Sequence, residues 1–202
     1  MRKRIFSTIL LLTSALVLLT GYALTAEQRA LADKLVRLHV VANSDSETDQ
    51  TVKLQVRDAV LEEARRILAD GEDPIPVLRA GLADIERTAN EALSKAGSGD
   101  RAAVSLESEL FPTREYETFS LPAGRYTALR VTIGEGRGRN WWCVVYPALC
   151  LSASAGEMEA AAQAAGLSNG EIALITGESE GYTLKFKALE WLEQLQAWFS
   201  ES

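Results

Sequence analysis

Two cysteines and a single histidine are the residues of this chain with the most distinctive chemistry. Cys143 and Cys150 bound the string CVVYPALC, and His39 stands in an apolar run far upstream. Three states of the cysteines are open: a disulfide, which a turn at Pro147 would allow, a pair of buried free thiols, or a Cys143 nucleophile with His39 as its base. Zinc sites need more closely spaced cysteines and further ligands, so we predict no metal site.

Three alternating glycines, Gly134, Gly136 and Gly138, invite comparison with phosphate-binding loops. A dinucleotide fingerprint leads from a strand into a helix, whose N-terminus holds the anion. These glycines instead lead into the string WWCVV, which is typical of a strand. We therefore predict a hairpin turn that uses positive φ, with no nucleotide or other cofactor bound there.

A run of small polar and acidic residues, which we call the hinge (residues 42–49), is dense in helix-capping types. Two overlapping capping boxes fit it: Ser44 with Glu47, and Ser46 with Asp49. A calcium loop counted from Asp45 would need a glycine and a glutamate at positions where the chain has Gln50 and Val56. We predict that the hinge caps a helix.

The hinge joins a short strand to a long amphipathic helix. Residues 35–41 are apolar and rich in β-branched types, as in a strand. After the hinge, apolar residues recur at helical spacing: Val52, Val56, Val60, Leu61, Ala64, Ile67 and Leu68. We expect Gly71 to cap the end of this helix, and Asp73 and Pro74 to begin a second helix that ends before Gly97.

The second half of the chain has the alternation typical of strands. Alternation begins at Ala102, residues 116–121 and 129–133 continue it, and the aromatic run from Asn140 gives a last strand, with Trp141 and Trp142 on opposite faces. A short Ala-rich helix over residues 157–165 follows. A C-terminal amphipathic helix is predicted from Phe186, Leu189, Leu192, Leu195 and Phe199. The fold class is α+β: a strand, a long helix and a second helix packed on an antiparallel sheet.

The N-terminus has the pattern of an export segment. Arg2-Lys3-Arg4 precedes an apolar run without acids, so we predict that residues 1–26 are a signal peptide or, if they are retained, a membrane anchor over residues 5–25. Residues 27–202 would then form one extracytoplasmic α+β domain. The net charge of −7 argues against nucleic-acid binding.

Several strings of this sequence resemble the stage II sporulation protein R family. They are LHVVANSDS from Leu38, LPAGRYTALRV from Leu121, and NWWCV from Asn140, in that order along the chain. The resemblance implies a non-enzymatic signal of endospore formation, exported across the forespore membrane into the space between the two cells. Its partner there would be the membrane-embedded aspartic protease that processes pro-sigma-E.

We expect the partner to contact the hinge, its flanks and the start of the aromatic strand. The candidate contact residues are Arg37, His39, Asn43, Asp45, Asp49, Asn140 and Trp141. For each of them, capping or packing is the alternative role. Two other functions remain open at this point: an exported hydrolase of the cell wall that uses Cys143 and His39, and a structural envelope protein.

Overall fold

The computed structural model describes residues 2–69, 73–151, 154–178 and 185–191. They form a mixed α+β fold in which helices pack on a mostly antiparallel sheet. The helices are α1 Arg2–Ala32, α2 Glu47–Ile67, α3 Pro74–Lys95, α4 Ala155–Ala164 and α5 Asn169–Thr176, with a short 3₁₀ helix at Leu149–Leu151. The strands are β1 Val36–Val41, β2 Ala102–Phe111, β3 Arg114–Glu115, β4 Ser120–Leu121, β5 Gly124–Ile133 and β6 Asn140–Tyr146.

The main sheet has four strands in the order β2-β5-β1-β6. β5 pairs antiparallel with β2, and β1 pairs antiparallel with β6 but parallel with β5. The predicted antiparallel sheet is thus confirmed for two of the three strand pairs, and the β1–β5 pair is parallel. Because β1 lies between β5 and β6, the glycine segment that joins these two strands crosses the end of β1. It does not form the predicted hairpin.

Two cores lie on the two faces of this sheet. The core beneath α2 and α3 contains Val56, Val60, Ile85 and Leu129. The opposite face is covered by the end of α1, by α4 and α5, and by Phe186. Every residue of β1 is buried, as expected for a central strand with both faces covered.

The helix signals read from the sequence are largely confirmed. Ser46 caps α2, and its hydroxyl accepts a hydrogen bond from the N–H of Asp49 at 3.1 Å. Asp73 caps α3, with Pro74 in the first turn. α2 ends at Ile67, and the Gly71 cap lies outside the described residues.

The C-terminal part differs more from the prediction. Residues 185–191 are helical, with Phe186 and Leu189 buried, whereas Leu192, Leu195 and Phe199 lie outside the described residues. α5 was not predicted, although Ser168 and Glu171 form a capping box at its start. Of the expected strand over residues 116–121, only Ser120–Leu121 is a strand (β4), and residues 116–119 form the loop that joins β3 to β4.

α1 runs from the predicted export segment into the body of the fold. Leu31 and Ala32, in its last turn, are buried in the same core as α4 and α5. In the described part of the chain, no helix combines the length and the apolar character that a membrane crossing requires.

Candidate functional site

The hinge is joined by main-chain contacts to the glycine loop (residues 134–139), which lies far from it in sequence. Four N–H groups of the loop donate to oxygen atoms of the hinge. The bonds run from Glu135 to Oδ1 of Asn43 (3.0 Å), from Arg137 to the Asn43 carbonyl (3.1 Å), from Gly138 to the Ala42 carbonyl (2.9 Å) and from Arg139 to Oδ1 of Asp45 (2.7 Å). The hinge therefore fixes the path of the loop over the end of β1.

The glycines of the loop allow this close approach. A Cβ atom at Gly138 would collide with the main-chain carbonyl of Ser44, which cannot move as a flexible side chain could. At Gly134, where φ is +56°, a Cβ atom would collide with the side chain of Asn43. The glycine spacing thus serves chain packing, and it supplies no phosphate cradle.

Asp49 stabilises the hinge from the first turn of α2. Its Oδ2 accepts hydrogen bonds from the Ser44 hydroxyl at 2.5 Å and from Nδ2 of Asn43 at 3.2 Å. The bond from Ser44 is the main reason that the pKa of Asp49 lies below its ordinary value of 3.8. Asn43 and Asp49 are thus engaged within the hinge, whereas the side chain of Asp45 is 66% exposed.

Lys53 is a buried cation that supports the same assembly and that the sequence reading missed. Its Nζ donates to Oε1 of Gln50 at 2.6 Å and to the carbonyl of Arg139 at 3.0 Å. Burial is the main cause of its lowered pKa. Lys53 lies three residues before Val56 and therefore beside the apolar stripe of α2. This spacing could have indicated from the sequence that Lys53 is buried.

His39 projects from β1 toward the other face of the sheet and is only 4% exposed. Its Nδ1 lies 2.7 Å from Oε1 of Glu109, and its Nε2 lies 2.9 Å from Oδ1 of Asn140. The ring stacks on the indole of Trp142, with 3.7 Å between centroids. Each ring nitrogen lies within hydrogen-bond distance of an oxygen atom, so the ring is held from two sides.

Glu109 and Arg130 complete this polar cluster. Nη1 of Arg130 lies 3.0 Å from Oε1 of Glu109, the same oxygen atom that meets His39. Sequence reasoning missed both residues because charged positions that alternate along a strand resemble an ordinary solvent-facing edge. The cluster positions His39 and Asn140 at the open end of this face.

Arg37, one of the predicted contact residues, is fully buried in this structure. Its guanidinium lies 4.1 Å from the centroid of the Phe111 ring and 4.9 Å from that of Tyr126. Nη2 donates to the hydroxyl of Tyr116 at 3.0 Å, while Nε and Nη1 have no hydrogen-bond partner within the described part of the chain. Because β1 is covered on both faces, a polar residue within it is enclosed.

Cys143 and Cys150 are joined by a disulfide, with 6.1 Å between their Cα atoms. Cys143 packs in the core beneath α2, on the face opposite to His39. In this structure Cys143 is bonded to Cys150 and His39 points to the other face, so these two residues do not form a nucleophile–base pair.

Trp141 and Trp142 lie on opposite faces of β6, as predicted. Trp141 is 37% exposed, and the guanidinium of Arg57 lies 4.3 Å from the centroid of its ring. A groove of about 450 Å³ runs along β6 beside both indoles. We call it the edge groove. Its lining residues are Arg57, Asp58 and Leu61 of α2, residues 116–119, Trp141, Trp142 and Cys143 of β6, and Leu149 and Cys150.

The hinge, the glycine loop and the start of β6 therefore lie together at one end of the sheet. A family model described as stage II sporulation protein R matches residues 32–156, which include all three segments. The chain belongs to the stage II sporulation protein R family. The matched range also includes α2, α3 and the rest of the main sheet.

One curated member of the stage II sporulation protein R family shows the extent of the similarity. Stage II sporulation protein R of Bacillus subtilis (strain 168) is 39% identical to this chain over 123 residues. The alignment covers 59% of this chain and 55% of the relative, so the chain spans about half the length of the curated relative it matches. No solved structure matches the chain.

Proposed function

We propose that this protein is an exported signal of endospore formation that activates the membrane-embedded aspartic protease that processes pro-sigma-E. Its membership of the stage II sporulation protein R family is the observation that carries the proposal. The partner would be recognised at the end of the sheet that the hinge and the glycine loop build. Asp45, Asn140 and Trp141 present exposed side chains there.

The location follows from the order of residues at the N-terminus. Three cations precede a long apolar run, and this pattern supports export across the forespore membrane into the space between the two cells. Residues 1–26 would act as a signal peptide or as a membrane anchor, and residues 27–202 would act outside the cytoplasm. Retention of residues 5–25 would keep the signal at the membrane surface near the protease.

Activation needs a difference in affinity. A bound protein changes the activity of a protease only if it binds the active conformation more tightly than the inactive one. The rigid hinge assembly suits this role because Asn43, Asp45 and Asp49 are fixed by hydrogen bonds before any partner arrives. A preorganised surface loses less conformational entropy on binding than a flexible one.

A reconstitution tests this function. The purified chain is added to phospholipid vesicles that contain the protease, with pro-sigma-E as the substrate. We expect processing to begin only when the chain is present on the extracytoplasmic side. Processing that does not depend on the chain would contradict the proposal and would favour a structural envelope role.

The hydrolase alternative is tested in the same assay. The variant Cys143→Ala/Cys150→Ala removes both sulfur atoms and therefore the disulfide. Loss of a cross-link that closes a loop of this length should lower the free energy of unfolding by about 2–3 kcal/mol. We expect the folded variant still to start processing at saturating concentration. Abolished signalling in a variant that remains folded would return Cys143 to consideration as a reactive group.

A further inference from the structure

We propose that the edge groove binds an extended segment of the partner protein, which adds to β6 as a fifth strand of the sheet. This inference rests on the proposed function, since it assigns the binding site for that partner. β6 is the last strand of the order β2-β5-β1-β6, so its outer edge has no neighbouring strand in the described part of the chain. An exposed strand edge is a template for pairing with another chain.

The outward groups of β6 can be assigned from its pairing. The N–H of Val144 donates to Sγ of Cys150 at 3.1 Å, so it points away from β1. Directions alternate along an antiparallel strand, and Trp142 and Asn140 therefore also direct their main-chain groups outward. The disulfide loop covers the edge at Val144, and from Trp142 to Asn140 no strand among the described residues pairs with it.

The edge groove encloses this open stretch from both sides. Arg57 and Leu61 of α2 line one side, and Tyr116 and Phe119 line the other. Added strands lie about 4.7–4.9 Å from the edge they pair with. An extended segment brings only its own backbone and side chains to this edge, whereas the sheet edge of a second folded copy would also bring the elements that line its own groove.

The charges of the lining select the segment. Arg57 is neutralised by Asp58, since Nη2 lies 2.7 Å from Oδ1. Glu117 is exposed and has no ion-pair partner among the described residues, so its carboxylate is the uncompensated charge of the groove. We therefore assign the occupant as a strand with apolar side chains that meet the aromatic walls and with a lysine or arginine opposite Glu117.

The experiment uses the full chain and the vesicle-bound protease, with two groove variants and a matched control for each. Thr118→Trp fills the groove, and Thr88→Trp places the same side chain on α3. Glu117→Lys reverses the lining charge, and Glu91→Lys makes the same change at an exposed site on α3. Each groove variant should need about tenfold more protein for half-maximal processing, while the controls match the wild type.

A second measurement reports on the strand itself. Deuterium uptake of residues 140–144 should slow when the wild-type chain binds the solubilised protease, because the N–H of Trp142 becomes hydrogen-bonded. Unfolding midpoints equal to that of the wild type show that the variants are folded. If Thr118→Trp does not fold, the comparison of Glu117→Lys with Glu91→Lys still tests whether the groove binds the partner.

The outcomes separate this inference from the proposed function. A wild-type chain that never starts processing overturns both. A wild-type chain that activates while groove variants and controls behave alike overturns the groove and leaves the function standing. If the chain dimerises on its own and Thr118→Trp abolishes the dimer, the groove binds a second copy of the chain. That result would also overturn the inference.

Discussion

The main chain of Gly138 lies directly against the carbonyl group of Ser44, so no side chain fits at position 138. This contact joins the glycine loop to the hinge across the end of β1.

Gly138→Ala should lower the free energy of unfolding by about 1–3 kcal/mol, because main-chain atoms must move to admit the methyl group. Urea denaturation of the purified protein measures the change. Gly156→Ala is the matched control: nothing lies within 4 Å of that position, and it stands in helix α4. It should raise stability by up to about 1 kcal/mol. Equal effects at both positions would contradict the close approach at Ser44.

His39 and Glu109 should be energetically coupled, because their side chains meet at 2.7 Å on a nearly enclosed face. We expect a double-mutant cycle with His39→Ala and Glu109→Ala to give a coupling free energy of about 0.5–3 kcal/mol. Denaturation curves of the wild type and three variants supply the four values. Strictly additive losses would show that the contact contributes nothing to stability.

Asp49 should make stability depend on pH in the acid range. Its pKa is lowered in the folded state, chiefly by the Ser44 hydroxyl, relative to an ordinary value of 3.8. The stabilisation is therefore fully present above about pH 4 and is lost as pH falls through the lower folded pKa. Unfolding free energies of the wild type and Asp49→Asn should converge on acidification below about pH 4. A difference that stays constant down to the lowest pH measured would be the contrary result.

Arg37 should tolerate replacement by an uncharged methionine better than replacement by lysine. In Arg37→Lys, a compact ammonium group replaces a guanidinium that contacts the rings of Phe111 and Tyr126, and a desolvated contact of this kind contributes about 2 kcal/mol. Arg37→Met removes a buried cation that has no carboxylate partner among the described residues, so its loss of stability should be smaller. Thermal unfolding ranks the two variants, and the reverse order would contradict this account.

The local elements were predictable because their signals are local. Ser46, Asp73 and the apolar stripe through Val56 and Val60 gave the starts and the buried faces of α2 and α3. The pairing of β1 with β5 could not be read in the same way. Alternation of apolar and polar residues shows which face of the sheet a residue occupies. It does not show which strand lies next to the strand that contains that residue.

The candidate site was predicted in part for a related reason. Asn43, Asp45, Asn140 and Trp141 do lie at one end of the sheet, and their contact with a partner stays a prediction. Arg37 lies in a strand whose other residues, apart from His39, are apolar, and such a strand is typically covered on both faces. That pattern already indicated that its side chain would be enclosed.

The position of β1 between two later strands determines when the sheet can form. β1 ends at Val41, whereas its neighbours are Gly124–Ile133 and Asn140–Tyr146. A chain that emerges from its N-terminus therefore completes α2 and α3 while an apolar strand of 6 residues still has two open edges. Such long-range pairing slows folding and exposes the strand to aggregation. Release of residues 124–146 is thus the step that ends this exposure, and slower delivery of this segment should increase aggregation.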